Sequence, residues 1–84
     1  MDFGSTNELR LARVDFAGNK LIARFVNGST ISVDLNRYRR LKQAAPAQRN
    51  RWRLIGKGSG IHWESLDEDL SVGNLLFTSA KFVR

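Results

Sequence analysis

The sequence predicts an α+β fold: a small, mainly antiparallel β-sheet of about five strands with one or two short helices on one face. Apolar and polar residues alternate over residues 10–35, which is typical of strands with one buried face. A second pair of apolar segments flanks the glycine-rich stretch Gly56–Gly60 and indicates another hairpin. Residues 38–45 and 70–76 instead show helical spacing of their apolar residues. The length of 84 residues suffices for one small domain, and 42% apolar with 26% charged residues is typical of a folded chain.

The first three strands are predicted to form an antiparallel meander. In the first strand, Ala12, Val14 and Phe16 lie on one face and Leu11 lies on the other. The next two strands alternate in the same way, and their inward-facing residues are Leu21, Ala23, Phe25, Ile31, Val33 and Leu35.

Two turn signals join these strands. Ala17-Gly18-Asn19 marks the first turn. Asn27-Gly28 marks the second, and this dipeptide predicts a type I′ hairpin turn in which both central residues have positive φ. Neighbouring strands are therefore expected to run antiparallel.

Short helices are predicted in the middle of the chain and near its end. Arg37–Gln43 is expected to form a turn or a short helix. A second short helix is expected to begin at Pro46, because proline fits the first helical position, although Ala45 before it has no side chain able to cap the helix. Ser71 can cap a final helix that begins at Val72.

These elements form a single domain at residues 9–78, preceded by a flexible N-terminal tail at residues 1–8 and followed by a C-terminal tail at residues 79–84. The residues expected in its core are Val14, Phe16, Leu21, Phe25, Ile31, Val33, Leu35, Leu41, Trp63, Leu75 and Leu76.

Several functional classes are excluded by composition. The chain has no cysteine, which excludes a disulfide scaffold, a cysteine nucleophile and a cysteine-ligated zinc site. No segment approaches the roughly 18 apolar residues of a membrane helix and no leader peptide opens the chain, so we expect a cytoplasmic protein without a membrane partner. The stretch Gly56–Gly60 lacks the spacing of a phosphate-binding loop, since Lys57 directly follows Gly56, and it is expected to be a mobile turn.

His62 and the acidic residues after it are the strongest candidates for metal or acid–base chemistry. Zinc sites usually need two or more His or Cys ligands, and Asp67–Asp69 lacks the ligand spacing of a calcium loop. These acids are instead expected to lie near the positive end of the last helix or to pair with cations. In a strand, His62 faces away from Ile61 and Trp63 and is expected to be exposed. We therefore expect no metal, no cofactor and no enzymatic activity.

The basic residues are concentrated in one part of the chain. Fourteen basic and eight acidic residues give a net charge of +6, and eight of the cations lie between Leu35 and Trp63 with no acid among them. Such a surface attracts the phosphates of nucleic acid or an acidic protein, and the alternative is that its cations are solvated or neutralised by the acids that follow. The candidate residues for binding a partner or nucleic acid are Arg37, Arg39, Arg40, Lys42, Arg49, Arg51, Trp52, Arg53 and Lys57.

The two tryptophans on either side of the glycine-rich stretch have two interpretations. Aromatic residues among cations can stack on the bases of single-stranded nucleic acid. Bulky aromatic residues are also what the core of a small domain needs. Trp63 is expected in the core, whereas Trp52 lies among arginines and is kept as a binding candidate.

Several segments together resemble a known family. They are residues 27–35, Tyr38-Arg39-Arg40-Leu41, Ala45-Pro46 with Arg49, residues 58–63, residues 66–71 and Leu75-Leu76. In this order they are similar to the small bacterial domain-of-unknown-function 2442 family, over about residues 9–77. The most specific part runs from Gly-Ile-His-Trp to Asp-Glu-Asp. Two positions differ from related sequences, which often have threonine at Ala45 and proline at Glu64.

The resemblance implies an α+β fold and supplies no agreed catalytic residues. Some relatives continue into a helix-turn-helix domain, but the sequence ends at Arg84, and we expect no such DNA-binding extension. Other relatives look like partners of small toxin-like proteins in two-gene modules. The resemblance therefore implies a non-enzymatic protein-interaction module, antitoxin-like or a regulatory partner of another small protein. The alternative is a nucleic-acid-binding protein that uses its basic Arg37–Lys57 face.

Overall fold

Two antiparallel sheets of three strands each make up the β-structure of the computed structural model, which describes residues 9–79. The first sheet contains β1 (Leu11–Ala17), β2 (Lys20–Phe25) and β3 (Thr30–Asp34), in that order. The second contains β4 (Trp52–Ile55), β5 (Gly60–Trp63) and β6 (Glu68–Ser71). The α+β prediction and the three-strand meander are confirmed. The predicted hairpin of β4 and β5 gains a third strand, because β6 pairs with β5.

Short helices connect and follow the sheets. Between the sheets lie α1 (Arg39–Gln43) and α2 (Pro46–Arg49), and α3 (Val72–Thr78) follows β6. Within residues 9–79, single 3₁₀ turns occur at Leu35–Arg37, Gly56–Gly58 and Glu64–Leu66. The short helices predicted in the middle of the chain and at its end are confirmed.

The helix starts agree with the capping chemistry expected from the sequence. Ser71 Oγ accepts a hydrogen bond from the N–H of Asn74 at 3.1 Å, which caps α3. At α2, Ala45 makes no side-chain cap, and Gln48 Oε1 instead accepts a hydrogen bond from the N–H of Ala45 at 3.1 Å. The start of α2 therefore has only one of the two hydrogen bonds of a capping box.

A β-bulge changes the inward face of β1. Leu11 is opposite Phe25 and Arg13 is opposite Arg24, so Ala12 is an extra residue without a partner. Because of this shift, Leu11 and Val14 are both buried, whereas Ala12 is exposed. The prediction that Ala12 faces inward and Leu11 outward is wrong, since strict alternation holds only in a strand without a bulge.

The turn between β2 and β3 is not the type I′ turn that Asn27-Gly28 predicts. Gly28 has a φ of +93°, but Asn27 keeps a negative φ. The N–H of Gly28 donates to the carbonyl oxygen of Phe25 at 2.9 Å, and Asn27 Oδ1 accepts from the N–H of Ser29 at 2.9 Å. The hairpin loop is therefore longer than two residues, and only its glycine needs the left-handed region.

The core lies between the sheets and the helices. Its buried apolar residues are Leu11, Val14, Leu21, Ala23, Phe25, Val33, Leu35, Leu41, Ile61, Trp63, Leu70 and Leu75. Of the predicted core residues, Phe16 and Ile31 are only partly buried, and so is Leu76. The predicted core list lacks four buried residues, Leu11, Ala23, Ile61 and Leu70. Leu70 is opposite Ile61 and is the only apolar residue of the acidic strand β6.

The Gly56–Gly58 turn packs against the start of β1. Gly58 is buried with a φ of +94°, and a Cβ atom at this position would lie 3.1 Å from the backbone N and O atoms of Leu11. The stretch predicted as a mobile turn is thus held against the first sheet at Gly58. The absence of a side chain is what lets the two backbones approach.

The last described residue packs into the fold. Ser79, which the prediction assigns to the C-terminal tail, is buried and forms an isolated antiparallel bridge with Val33. The packed fold therefore reaches at least one residue beyond position 78. The predicted tails at residues 1–8 and, past Ser79, at residues 80–84 lie outside the described residues. Within residues 9–79, no helix is long and apolar enough to cross a membrane.

We expect Gly58→Ala to destabilise the protein more than Gly28→Ala does. The two glycines have nearly the same φ, but a Cβ atom at Gly28 meets no atom within 4 Å, whereas at Gly58 it meets the Leu11 backbone. Both substitutions carry the left-handed penalty of about 1–2 kcal/mol. Gly58→Ala adds an overpacking cost of about 1–3 kcal/mol. Urea unfolding of both variants measures the difference, and equal losses would contradict the close packing of this turn.

Candidate partner-binding surface

The nine candidate binding residues lie in three parts of the fold. Six of them, Arg37, Arg39, Arg40, Lys42, Arg49 and Arg51, lie in or next to α1 and α2. Trp52 and Arg53 lie in β4, and Lys57 lies in the turn after it. The four residues of β4 rise about 13 Å in total, so Lys57 is well separated from Arg51. The nine residues therefore do not form one continuous cluster.

Arg49 is held inside the fold. Its guanidinium donates to the carbonyl oxygens of Leu41 and Lys42, at 2.8 Å each, near the C-terminal end of α1. The same guanidinium carbon lies 5.7 Å from the centre of the Phe16 ring in the first sheet. The Arg49 carbonyl oxygen accepts a hydrogen bond from Trp63 Nε1 at 2.9 Å, in the second sheet. Arg49 thus joins both helices to both sheets, and its charge is engaged within the molecule.

Arg40 and Lys42 also make contacts within the fold. Arg40 Nη1 donates to the carbonyl oxygens of Leu66 at 3.3 Å and Asp67 at 3.0 Å. Lys42 Nζ donates to Asn36 Oδ1. Arg40 therefore fixes α1 against the turn before β6. It contacts the backbone of the acidic run and not a carboxylate.

Three arginines of the α1–α2 region have exposed side chains without a partner. They are Arg37, Arg39 and Arg51, named the unpaired arginines below, and no hydrogen bond or ion pair joins their guanidinium groups to any residue from 9 to 79. Lys57 is exposed and unpaired in the same sense. The predicted neutralisation of the basic stretch by the following acids occurs between side chains at one place, where Arg53 Nη2 lies 3.3 Å from Glu64 Oε1.

The tryptophans are opposite each other in the second sheet. Trp63 is fully buried, which confirms it as a core residue. Trp52 pairs with it across β4 and β5 and packs partly buried against the core. Because both indoles contribute to packing, the basic stretch lacks a fully exposed aromatic ring on which a base could stack.

His62 lies between two carboxylates on the outer face of the second sheet. As expected, it faces away from Ile61 and Trp63, but its side chain is only 18% exposed, so the expectation of an exposed histidine is wrong. Its Nδ1 is hydrogen-bonded to Asp69 Oδ1 from the neighbouring strand, and its Nε2 lies 3.2 Å from Glu64 Oε1. Pairing of β5 with β6, which the sequence does not predict, is what covers the ring.

The pKa of His62 is raised above its ordinary value. The main cause is the hydrogen bond with Asp69, and the negative charges of Asp69 and Glu64 add to it, whereas burial and the charge of Arg53 oppose the rise. Among residues 9–79, no group of three or more His, Asp or Glu side chains is arranged to hold a metal ion. His62 and Asp69 form a hydrogen-bonded pair across β5 and β6, and this pair becomes an ion pair when the imidazole is protonated.

Lys57 lies beside an open groove together with Arg10. Arg10 is absent from the sequence-based candidates because it is far from Lys57 along the chain and precedes the basic stretch. The two cations come together only because the Gly56–Gly58 turn packs against the residues that precede β1.

The chain is similar to known proteins in two comparisons. A family model described as "Protein of unknown function (DUF2442)" matches residues 11–80. Among solved structures, the chain is similar to a protein of unknown function from Rhodospirillum rubrum ATCC 11170, with 31% sequence identity and a TM-score of 0.69 over 81% of this chain and 84% of that chain. No curated protein matches. These findings confirm the family resemblance and the fold.

We expect the stabilising effect of Asp69 to decrease as the pH rises. Because the His62 pKa is higher in the folded than in the unfolded protein, the ion pair contributes fully below the ordinary histidine pKa of about 6.5 and is lost as the pH rises through the raised folded value. Asp69→Asn should therefore cost more stability at pH 6 than at pH 9 in urea unfolding. Asp67→Asn is the control, since its effect should not change over this range. A pH-independent cost of Asp69→Asn would contradict the pairing.

Proposed function

The chain belongs to the DUF2442 family, and we propose that it is a non-enzymatic protein-interaction module, an antitoxin-like or regulatory partner of another small protein. The observation that carries this proposal is the set of unpaired arginines, Arg37, Arg39 and Arg51. Their side chains are exposed, and no carboxylate within the described part of the chain neutralises them. Their natural complement is a partner with an acidic surface.

Arginine is well suited to such a contact. Its planar guanidinium binds carboxylates through two parallel hydrogen bonds, and arginine is enriched at the centres of protein interfaces. Other cations of the basic stretch are already engaged, as with Arg49 at the carbonyl oxygens of α1 and Arg40 at those of the next turn. The engaged and the unpaired cations therefore have different roles: the first hold the surface together, and the second are available to a partner.

The backbone that carries the unpaired arginines is fixed from two sides. Arg40 links α1 to the turn before β6, and Arg49 links α1 to α2 and to the second sheet. Association costs less conformational entropy when the backbone of the interface is ordered before binding. A fixed backbone under flexible arginine side chains supports a role as a docking surface.

The net charge of +6 supports fast association with an acidic partner. Long-range attraction increases the rate of encounter, and salt screens it over a distance of about 8–10 Å at physiological ionic strength. The proposed interaction should therefore depend on salt mainly through its association rate.

Nucleic-acid binding by the same basic face is the second candidate function. It is favoured by the run of cations from Arg37 to Lys57 without an acid among them. The burial of Trp63 and the partial burial of Trp52 leave this candidate without a fully exposed stacking ring. Protein interaction is for this reason the first choice.

We expect the triple variant Arg37→Gln, Arg39→Gln, Arg51→Gln to keep its fold and lose its partner. Exposed, unpaired arginines contribute little to stability, so the melting temperature should stay within a few degrees of the parent. Affinity capture from the lysate of the native cell, with identification of both proteins and nucleic acids by mass spectrometry and sequencing, should recover an acidic protein with the parent but not with the variant. Association with the recovered protein should slow about tenfold.

The control is a second triple variant with the same change of net charge. Arg13→Gln, Lys20→Gln and Arg24→Gln also lower the net charge from +6 to +3, but they lie on the first sheet. This control should retain the partner. Recovery of nucleic acid alone, lost in the first variant and kept in the control, would replace the first proposal by the second. Identical capture by all three proteins would leave both proposals without support.

A further inference from the structure

An open groove with an apolar floor lies where the two ends of the domain meet the Gly56–Gly58 turn. Its volume is about 480 Å³. We name it the apolar groove. Besides Gly56, the residues within 9–79 that line it are Leu9, Arg10, Lys57, Ser59, Val72 and Leu76. They come from the segment before β1, the turn between β4 and β5, and α3.

Short-range contacts hold these three segments together. Gly58 packs against the backbone of Leu11, and a Cβ atom at Gly58 would also lie 3.1 Å from the Cβ atom of Arg10. The carbonyl oxygen of Ser59 accepts a hydrogen bond from the N–H of Val72 at 2.9 Å, which fixes the turn to the start of α3. The apolar groove is therefore formed by the packed fold.

The groove combines an apolar surface with positive charge. Leu9, Val72 and Leu76 supply aliphatic side chains, and Val72 and Leu76 are one helical turn apart on the same side of α3. Arg10 and Lys57 add two exposed cations, neither of which is paired with a carboxylate among the described residues. A ligand that complements this groove has an apolar side chain next to a carboxylate.

We infer that the apolar groove binds a short segment of a partner protein in which apolar residues alternate with acidic residues. This inference rests on the proposed function, because it names the part of the partner that the module recognises. The groove is open to solvent, so a bound chain can enter and leave it, whereas small-molecule sites usually enclose most of the ligand surface. Phe77, which follows Leu76 in α3, is 76% exposed.

The backbone of Lys57 gives independent support. Its φ of +58° and ψ of +37° lie in the left-handed region, where a residue with a side chain is strained and glycine is not. Its neighbours Gly56 and Gly58 also have positive φ. Strained side-chain-bearing residues of this kind tend to occur at functional sites. This conformation places a charged side chain at the groove, where a glycine would be more stable.

The test uses the full chain and a fluorescein-labelled hexapeptide of alternating leucine and glutamate, with binding measured by fluorescence polarisation. Two control peptides separate the contributions: one has glutamine in place of glutamate and the other has serine in place of leucine. We expect the parent peptide to bind and each control peptide to bind at least tenfold more weakly. Equal binding of the serine peptide would overturn the proposal, since charge alone would then explain the interaction.

Variants at Lys57 connect the binding to the groove. Lys57→Gln should weaken binding of the parent peptide about tenfold and have little effect on the glutamine peptide, because the lysine and the glutamate then no longer act as a pair. Lys57→Gly should weaken binding equally while raising the melting temperature, since it removes the left-handed strain. Lys20→Gln, an exposed lysine on β2, is the matched control and should change nothing. Unchanged binding in both Lys57 variants would overturn the proposal.

Other occupants of the groove give different results. A second copy of this chain would produce a dimer in sedimentation that Lys57→Gln dissociates, and this result would overturn the proposal. Occupancy by the chain's own first residues would make the peptide bind more tightly after Asp2→Ser and Phe3→Ser together, and this result would overturn it as well.

The groove and the proposed function can fail separately. If the triple variant of the unpaired arginines loses its protein partner while Lys57→Gln leaves peptide binding intact, the groove proposal is wrong and the proposed function stands. Suppose instead that Lys57→Gln and Lys57→Gly weaken peptide binding as expected, while capture of the partner protein does not depend on the unpaired arginines. The groove proposal then stands, and the unpaired arginines are not the partner-binding surface.

Discussion

The junction at Arg49 determines how the two sheets and the connecting helices are arranged. The Arg49 guanidinium donates hydrogen bonds to carbonyl oxygens at the end of α1 and lies over the Phe16 ring. The Arg49 carbonyl oxygen accepts a hydrogen bond from the indole N–H of Trp63. The indole N–H of a fully buried tryptophan must find an acceptor, and this backbone position supplies it. The last four carbonyl groups of an α-helix have no partner within the helix, and in α1 these include Leu41 and Lys42. Arg49 donates to both, and the Leu41 carbonyl also accepts from the N–H of Ala44.

This junction explains why a strongly basic stretch is not uniformly available for binding. The fold uses Arg40 and Arg49 as hydrogen-bond donors to backbone carbonyls, and it leaves Arg37, Arg39 and Arg51 outside. Net charge alone does not separate these groups, since all carry the same charge at neutral pH. What separates them is whether an acceptor lies within reach of each guanidinium. The exposed arginines are those that the packing of this small domain does not use as hydrogen-bond donors.

The structure also distinguishes two ways in which charge occurs in this protein. On the outer face of the second sheet, His62 and Asp69 are hydrogen-bonded across neighbouring strands, so Asp69 compensates the charge of His62 whenever the imidazole is protonated. At the apolar groove, Arg10 and Lys57 are next to aliphatic side chains and have no such compensation within residues 9–79. For recognition, cations beside an apolar surface are more informative than the His62–Asp69 pair. A partner can pair with these cations and bury the apolar surface in the same contact.

The sequence by itself determined the features that depend on neighbouring residues: the alternation in β2 and β3, the cap of α3 by Ser71, the start of α2 at Pro46 and the location of the basic stretch. Only the tertiary structure decided the bulge that turns Leu11 inward, the pairing of the acidic strand β6 with β5, the partial burial of His62 and the meeting of Arg10 with Lys57. The physical reason is the distance along the chain over which each preference acts. Turn, cap and alternation preferences act between residues a few positions apart, whereas the partners of a bulge, an edge strand or an arginine are set by how distant segments pack.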